Sequence, residues 1–494
     1  MDSTLAQPIN LKCGLVLKNR LVKAAMAECM ADNGGLPSVK HNNVYREWGN
    51  GGWGMIITGN VQVDSMYLGD ARDITVDPGR ETELLEKWSI WAKASTANGT
   101  PTIMQINHPG RQSPLGAGSR GFCAQNIAPS AVPLDLGSGL VARFASSCVF
   151  GTPREMTPQD IERVMKRFVD CSRLALKAGF KGVEIHAAHG YLLAQFLSSK
   201  TNRRTDRYGG LAEGRARIVV EIIEGIRRAL PADFCVGIKV NSADHQSQEA
   251  LSDFVVQLKM IVEAGVDFVE ISGGSYEDPK MMQASTQIQK EKSSRTNARE
   301  AFFLEFASAI RHEFPAVPLM VTGGFRTRDG MARAIESNTC DMVGLGRPAV
   351  LEPSLPRSII LNNEVSDEMA HVMTNPVPMP WFIKMAGVKS AGSGAETAER
   401  LLSADPDDDI NMSTEDVNGA DVEGTLKEAM EKAVSHTVAN SLKNTVEEEV
   451  CNTIEQAIQH VSGNSSELHP SSSISTNEDE KPPEEPTVID CTER

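Results

Sequence analysis

Val183-Glu184-Ile185-His186-Ala187-Ala188-His189-Gly190-Tyr191 sets a short apolar strand, Gly182 to Ile185, ahead of two histidines and a tyrosine. In a barrel of parallel strands, the C-terminal strand ends carry the active site. Two imidazoles three residues apart can donate two hydrogen bonds to one oxygen, and a nearby phenol can supply a proton. These groups suit a site that polarises a carbonyl and protonates a neighbouring carbon. The plainer reading is a strand that ends in polar residues. A metal would also use histidines at this spacing, but no carboxylate or cysteine stands at a useful offset, so no metal is expected.

Working outward, short apolar runs alternate with amphipathic segments from Leu21 to about Arg347. Strands are expected at Leu21–Ala25, Gly54–Thr58, Pro101–Ile106, Lys181–Ile185, Cys235–Val240, Phe268–Ile271, Leu319–Thr322 and Met342–Leu345. Helices are expected at Glu81–Thr96, Pro158–Ala178, Glu213–Ala229, Ser252–Ala264 and Arg299–Phe314. Thr157-Pro158 reads as an N-cap followed by a first-turn proline. Eight such units predict an α/β fold, a (β/α)8 TIM barrel, with a doubly wound open sheet as the alternative. Leu11–Asn19 reads as an N-terminal hairpin able to plug the barrel bottom.

The charge is unevenly spread. Of 49 Lys and Arg against 65 Asp and Glu, 5 and 22 lie from Leu401 onward, which leaves 44 against 43 in the body. The net −16 therefore belongs to the tail, and no basic patch calls for nucleic acid. The nine cysteines are scattered, with no CxxC, which argues against a zinc ribbon, an iron–sulfur cluster or a disulfide framework. There is no secretory pattern at the N-terminus and no apolar run of about 18 residues, so a cytoplasmic setting away from membranes is expected.

Two regions break the alternation. Residues 109–153 are rich in Gly, Pro and Ser and read as an irregular lid insert in a barrel domain spanning 1–400. Gly116 to Gly121 formally match GxGxxG, but lack the strand before and helix after that a dinucleotide site needs. Residues 401–494 read as a largely disordered acidic tail. Within it, Val422, Leu426, Met430 and later apolar residues recur every four positions, so an amphipathic helix at 422–461 is possible. Such a helix would serve self-association or a protein partner.

NRLVKAAM (Asn19–Met26), QINHPGRQ (Gln105–Gln112), VEIHAAHGYLLAQFLS (Val183–Ser198), NRRTDRYGG (Asn202–Gly210) and VGLGR (Val343–Arg347) together resemble the Old Yellow Enzyme family of FMN-dependent ene-reductases. The resemblance covers roughly residues 5–400. It implies FMN, bound tightly but non-covalently across the barrel mouth, with NAD(P)H as reductant. It further implies that Ala24, Ala25, Met26 and Ala27 contact the flavin through backbone and that Asn60 sits beside the ring. Gln105 would pair with the pyrimidine edge, and Lys239 would stabilise negative charge on the reduced ring. Gly323, Gly324, Gly346 and Arg347 would hold the phosphate. His186 and His189 would bind the carbonyl of an enone or related small molecule, and Tyr191 would protonate its α-carbon after hydride arrives from flavin N5. Nicotinamide and substrate would use one pocket in turn, a ping-pong cycle.

The chain departs from the family's pattern in places. Ala27 replaces a Thr or Cys that bonds the flavin, and Lys239 replaces an Arg, losing its planar fork. Cys29 stands where some relatives carry a substrate-contacting Tyr, which predicts a smaller or a reactive pocket wall. Gly214 replaces the Asn of a frequent NR pair, while Arg215 remains. Two alternatives stay open: a redox-neutral isomerase or a dehydrogenase of a specialised metabolite on the same scaffold, and a flavin-binding scaffold protein whose tail recruits a partner.

Overall fold

Eight parallel strands close on themselves in a computed structural model that describes residues 3–32, 34–121, 124–136, 146–242, 248–273 and 306–372. They are β1 (Leu21–Lys23), β2 (Met55–Ile57), β3 (Thr102–Asn107), β4 (Gly182–Ala187), β5 (Cys235–Asn241), β6 (Phe268–Ser272), β7 (Leu319–Thr322) and β8 (Met342–Leu345). Each pairs with its sequence neighbour, and β8 returns to β1 with Val343 opposite Leu21. An open doubly wound sheet has two free edges; the β8–β1 pairing removes them and settles the choice for the (β/α)8 barrel.

Around the barrel run α1 (Val39–Asn50), α2 (Glu81–Ser95), α3 (Pro158–Ala178), α4 (Leu192–Leu197), α5 (Ala212–Ala229), α6 (Gln248–Glu263), α7 (Arg328–Glu336) and α8 (Arg347–Leu351). Helix α3 has the expected bounds, and its start is chemically specified. Thr157 Oγ1 accepts from Asp160 N–H at 3.1 Å, and the Asp160 carboxylate accepts from Thr157 N–H at 2.9 Å. This reciprocal pair satisfies two donors that the first turn leaves over. Ile161, Val164, Phe168, Cys171 and Ala175 then bury one face. Residues 306–313 are helical, so the helix ends one residue before the expected Phe314, and residues 299–305 of it lie outside the described residues.

The barrel interior is layered, because inward-facing side chains recur every second residue. Its floor is apolar: Val22, Met55, Ile57, Ile103, Cys235, Phe268, Met320 and Met342 pack with Leu11 and Leu17. These last two come from an antiparallel hairpin, Ile9–Asn10 against Val16–Leu17, which plugs the N-terminal end two residues earlier than expected. Two residues further along their strands, Gln105, Lys239 and Glu270 replace Ile103, Gly237 and Phe268 and form a charged layer with Glu184. Two residues further still stand His186, Asn241 and Ser272.

The insert at 109–153 is more structured than its composition suggests. Ile127–Ala128 pairs in parallel with Arg154–Glu155, and residues 146–150 are helical. Arg120 is buried and donates to Ser113 Oγ, Ser113 O, Pro114 O and Met66 O. Side-chain donors thus satisfy backbone carbonyls that no ladder reaches. The chain separates into two units, Met1–Glu415 and Asp416–Arg494, and the described residues all belong to the first. The tail expected to be disordered and the helix expected at 422–461 lie outside them. No described helix is long and apolar enough to cross a membrane.

The plug packing is testable. Leu17 is fully buried whereas its neighbour Val16 is 56% exposed. Leu17→Ala should cost about 2–5 kcal/mol and lower Tm by several degrees, whereas Val16→Ala should stay within about 0.5 kcal/mol of the parent. Differential scanning calorimetry of the two variants reads the difference.

Candidate active site

Strand β4 runs to Ala187 because His186 and Ala187 still pair with Lys239 and Val240 of β5. His186 is therefore a strand residue; only His189 and Tyr191 lie in the loop, a correction to the sequence reading that put both histidines there. The loop turns back sharply. His189 has φ 59° and Gly190 φ 74°, and a non-glycine residue held in the left-handed region is a strain that the surroundings must enforce. Three side chains do so. Asn241 Oδ1 accepts from His189 N–H at 3.0 Å, Gln112 Nε2 donates to His189 O at 3.0 Å, and Gln195 Nε2 donates to Gly190 O at 2.7 Å.

The result is a line of hydrogen bonds across the barrel mouth. Asn60 Oδ1 lies 3.0 Å from His186 Nδ1, His186 Nε2 lies 2.9 Å from His189 Nδ1, and His189 Nε2 lies 3.2 Å from Ser272 Oγ. With the Asn60 carbonyl as acceptor, His186 carries its proton on Nδ1. His189 then donates from Nδ1, and the Ser272 hydroxyl donates to His189 Nε2. The Tyr191 ring meets the His186 ring edge-on, with centroids 4.8 Å apart. Burial, then the His189 charge, then Lys239 hold His186 well below the usual imidazole range. Burial and Lys239 push His189 down to about 3. Both rings are neutral near pH 7, and a neutral imidazole can donate a hydrogen bond without acting as an acid.

Beneath them, Lys239 Nζ is 2.7 Å from Glu270 Oε1, and Gln105 Nε2 donates to Glu184 Oε2 at 2.5 Å. All four side chains are buried. Burial first, and the adjacent Glu270 second, push the Glu184 carboxyl well above the usual carboxylate range. One proton on Glu184 leaves the layer neutral, with Lys239 balanced by Glu270. Gln105 and Lys239 are expected site residues from the sequence, whereas Glu184 and Glu270 are not. Their signal was present: VEIH and FVEIS each set a lone Glu in an apolar strand, two residues before a mouth residue.

Ala24, Ala25, Met26 and Ala27 follow β1 as an extended loop. That loop is anchored from behind. Glu28 Oε1 accepts from Tyr45 OH at 2.5 Å and from Gly59 N–H at 3.0 Å, with Lys23 Nζ at 3.4 Å. Gly59 must be glycine, since a Cβ there would lie 1.8 Å from Glu28 Oε2 and 2.2 Å from Met26 O. Across the mouth, Gly323 and Gly324 have φ 134° and 83°, and Gly346 caps α8, which Arg347 begins. The Thr322 hydroxyl, buried beside them, has no hydrogen-bond partner among the described residues. A Cβ on Gly346 would come within 3.3 Å of Met26 Sδ, so the β1 loop and the β8 end nearly touch. Bare glycine backbone, a spare buried hydroxyl and a cationic Arg347 make a donor set that fits the phosphate of FMN.

Other expected residues divide. Cys29 has φ 52°, and burial, then Asp70 and Asp73, push its thiol up to about 12; it is protonated at neutral pH, which removes the reactive-wall option. Gly214 has no room for the Asn it replaces, since a Cβ would lie 2.1 Å from Gly209 O. NRRTDRYGG proves structural: Asn202 Nδ2 donates to Phe196 O and Tyr208 O, and Arg204 Nη1 to Pro129 O and Met156 O.

The NADH:flavin oxidoreductase / NADH oxidase family profile matches residues 4–364. The chain belongs to this family. Membership brings FMN as the cofactor and NAD(P)H as the reductant, the chemistry of an FMN-dependent oxidoreductase. It is 50% identical over 398 residues to the NADH-dependent flavin oxidoreductase iliE of Neonectria sp. (strain DH2), covering 79% of this chain but only 52% of that relative. It is 46% identical over 382 residues to iliE of Hypocrea jecorina (strain QM6a), covering 77% of this chain and 95% of the relative. Among solved structures, the old yellow enzyme homologue from Zymomonas mobilis superposes with a TM-score of 0.59 at 22% identity, over 75% of this chain and 97% of that one. Morphinone reductase gives 0.58, also at 22% identity, over 74% and 91%. At that identity both support the barrel fold alone.

Neutral buried imidazoles give the stability a pH dependence of known sign. His41 and His189 are pushed down to about 3 and His108 to about 4, in each case chiefly by burial. An unfolded His takes its proton near pH 6.5, so below that pH the unfolded chain binds protons that the folded one refuses. Stability should be full above about pH 6.5 and fall steadily toward pH 4. His186 is lowered as well, chiefly by burial. Asp73, raised to about 6, and Glu184, raised well above the carboxylate range, both mainly by burial, work the other way, but as two groups against four. Tm measured from pH 7.5 to 4.5 checks this; a Tm that holds or rises on acidification contradicts it.

Proposed function

We propose that this protein reduces the C=C bond of α,β-unsaturated carbonyl compounds in a ping-pong cycle with NAD(P)H. The observation that carries the reading is the neutral His186–His189 pair beside Tyr191 at the barrel mouth. Bound FMN would supply the redox chemistry, accepting hydride from NAD(P)H and passing it to the substrate. Ala24 to Ala27 and Gln105 would meet the ring system, Lys239 its pyrimidine edge, and Gly323, Gly324, Gly346 and Arg347 the phosphate. The insert at 109–153 would wall the pocket as its lid.

His186 Nε2 and His189 Nδ1 face each other at 2.9 Å, so an oxygen that replaced this hydrogen bond, with the rings moved apart, would receive both donors. Both can donate only if each ring's far nitrogen accepts. Ser272 already meets that condition at His189, because its hydroxyl can donate. At His186 the Asn60 amide must turn to present Nδ2 to Nδ1, which moves the ring proton to Nε2. Asn60 thus acts as a positioning residue that sets which nitrogen of His186 faces the substrate. Electron density drawn to the carbonyl oxygen leaves the β-carbon open to hydride, and Tyr191 delivers the proton to the α-carbon. The buried Lys239–Glu270 pair beneath offers fixed charge without free water.

Anaerobic stopped-flow tests these roles with 2-cyclohexenone as oxidant. Tyr191→Phe should slow reoxidation of the reduced enzyme by about 10²-fold or more, and leave reduction by NAD(P)H within a few-fold. Asn60→Asp offers only acceptors, holds the His186 proton on Nδ1, and should slow the same half-reaction about 10²–10³-fold. Equal loss in both half-reactions would remove these residues from the assigned roles.

A further inference from the structure

The scattered cysteines give no hint of pairing, yet the fold brings two of them together at the closed end of the barrel. Cys13 sits in the turn of the N-terminal hairpin and is half-buried; Cys235 opens β5 and is buried in the floor. Their sulfurs and the nearest Asp267 carboxylate oxygen all lie within 4.8 Å of one another. Two sulfurs and a carboxylate suggest a metal, but Asp267 is already committed. Its Oδ2 accepts from Arg227 Nη2 at 2.6 Å and from Val236 N–H at 2.7 Å. That leaves the two thiols beside each other, their sulfurs within 4.8 Å.

We propose that Cys13 and Cys235 form a reversible disulfide, with a hydroperoxide as oxidant, that staples the N-terminal plug to β5. The Cys13 thiolate attacks one peroxide oxygen; the O–O bond breaks, hydroxide leaves and takes up a proton, and Cys13 becomes a sulfenic acid. The Cys235 sulfur then attacks the Cys13 sulfur, the S–O bond breaks, and the departing hydroxide takes the Cys235 proton as water. Two thiols and one hydrogen peroxide give one disulfide and two waters.

The environments divide the roles. The hydrogen bond from Cys235 holds the Cys13 thiol below its ordinary range, whereas the same contact and burial push Cys235 up. Half-exposed Cys13 is then the attacking thiol and buried Cys235 the resolving one. By contrast, burial raises Cys29 and Cys340 to about 12 and pushes Cys171 up as well. Forming the S–S bond would close a long loop, since residues 13 and 235 are far apart in sequence, and so restrict the unfolded chain. It would also pin Leu11 and Leu17 on the floor beneath the charged layer.

The full-length holoprotein, reduced with dithiothreitol and desalted, is treated with one equivalent of hydrogen peroxide, alkylated and mapped by mass spectrometry without reduction. The proposal expects a Cys13–Cys235 linked peptide that dithiothreitol abolishes, and a Tm rise of several degrees that Cys13→Ser lacks. Cys13 carrying added oxygens while Cys235 stays alkylatable would overturn it, as would Cys13 linked to another cysteine. One equivalent of zinc chloride is added to the reduced protein in parallel. Tight uptake that shields both thiols from alkylation would assign the pair to a metal and overturn the disulfide.

Discussion

Lys239 and Glu270, held 2.7 Å apart inside a closed barrel, set the terms for everything above and below them. A charge moved from water into a protein interior needs an opposite charge beside it to be tolerated. Loss of one partner would strand the other at a cost of about 3–5 kcal/mol. The layer must therefore be sealed from beneath, and the hairpin plug with its apolar floor provides the seal. Above it the polarity continues at His186, Asn241 and Ser272. The barrel has a dry end and a reactive end because this ion pair divides them.

That division explains how the mouth keeps neutral imidazoles near a fixed cation. Burial and Lys239 both disfavour imidazolium at His186 and His189, while the counter-charge of Glu270 keeps the whole layer near neutrality. A neutral donor pair polarises a carbonyl without protonating it, which leaves proton delivery to a separate group. Tyr191, set at the start of α4 beside the strained His189–Gly190 turn, is the group we propose for that task.

Much of this was legible in the chain. The eight strands came within two residues of their observed bounds, because apolar runs of four to seven residues alternate with capped amphipathic helices. The Thr157-Pro158 start of α3 could be read from two letters. What escaped was of two kinds. Helix α1 has Asn42, Asn43 and Gly49 within twelve residues, so its buried face of Val44, Tyr45 and Trp48 shows no clean period. Partnerships across the barrel escaped too: Lys239 with Glu270, Asn60 with His186, and Cys13 with Cys235 depend on strand register and closure, which no local window carries. The reading placed Lys239 near a flavin edge but gave it no counter-ion. It named His186 and His189 but not the contact between them.

The central claim is that the mouth above the charged layer holds FMN, and the visible absorption spectrum of the purified chain tests it most directly. The account predicts the visible bands of an oxidised flavin, released on denaturation as one FMN per chain, with apoprotein regaining them on incubation with FMN. A colourless protein that remains colourless after that incubation would contradict it.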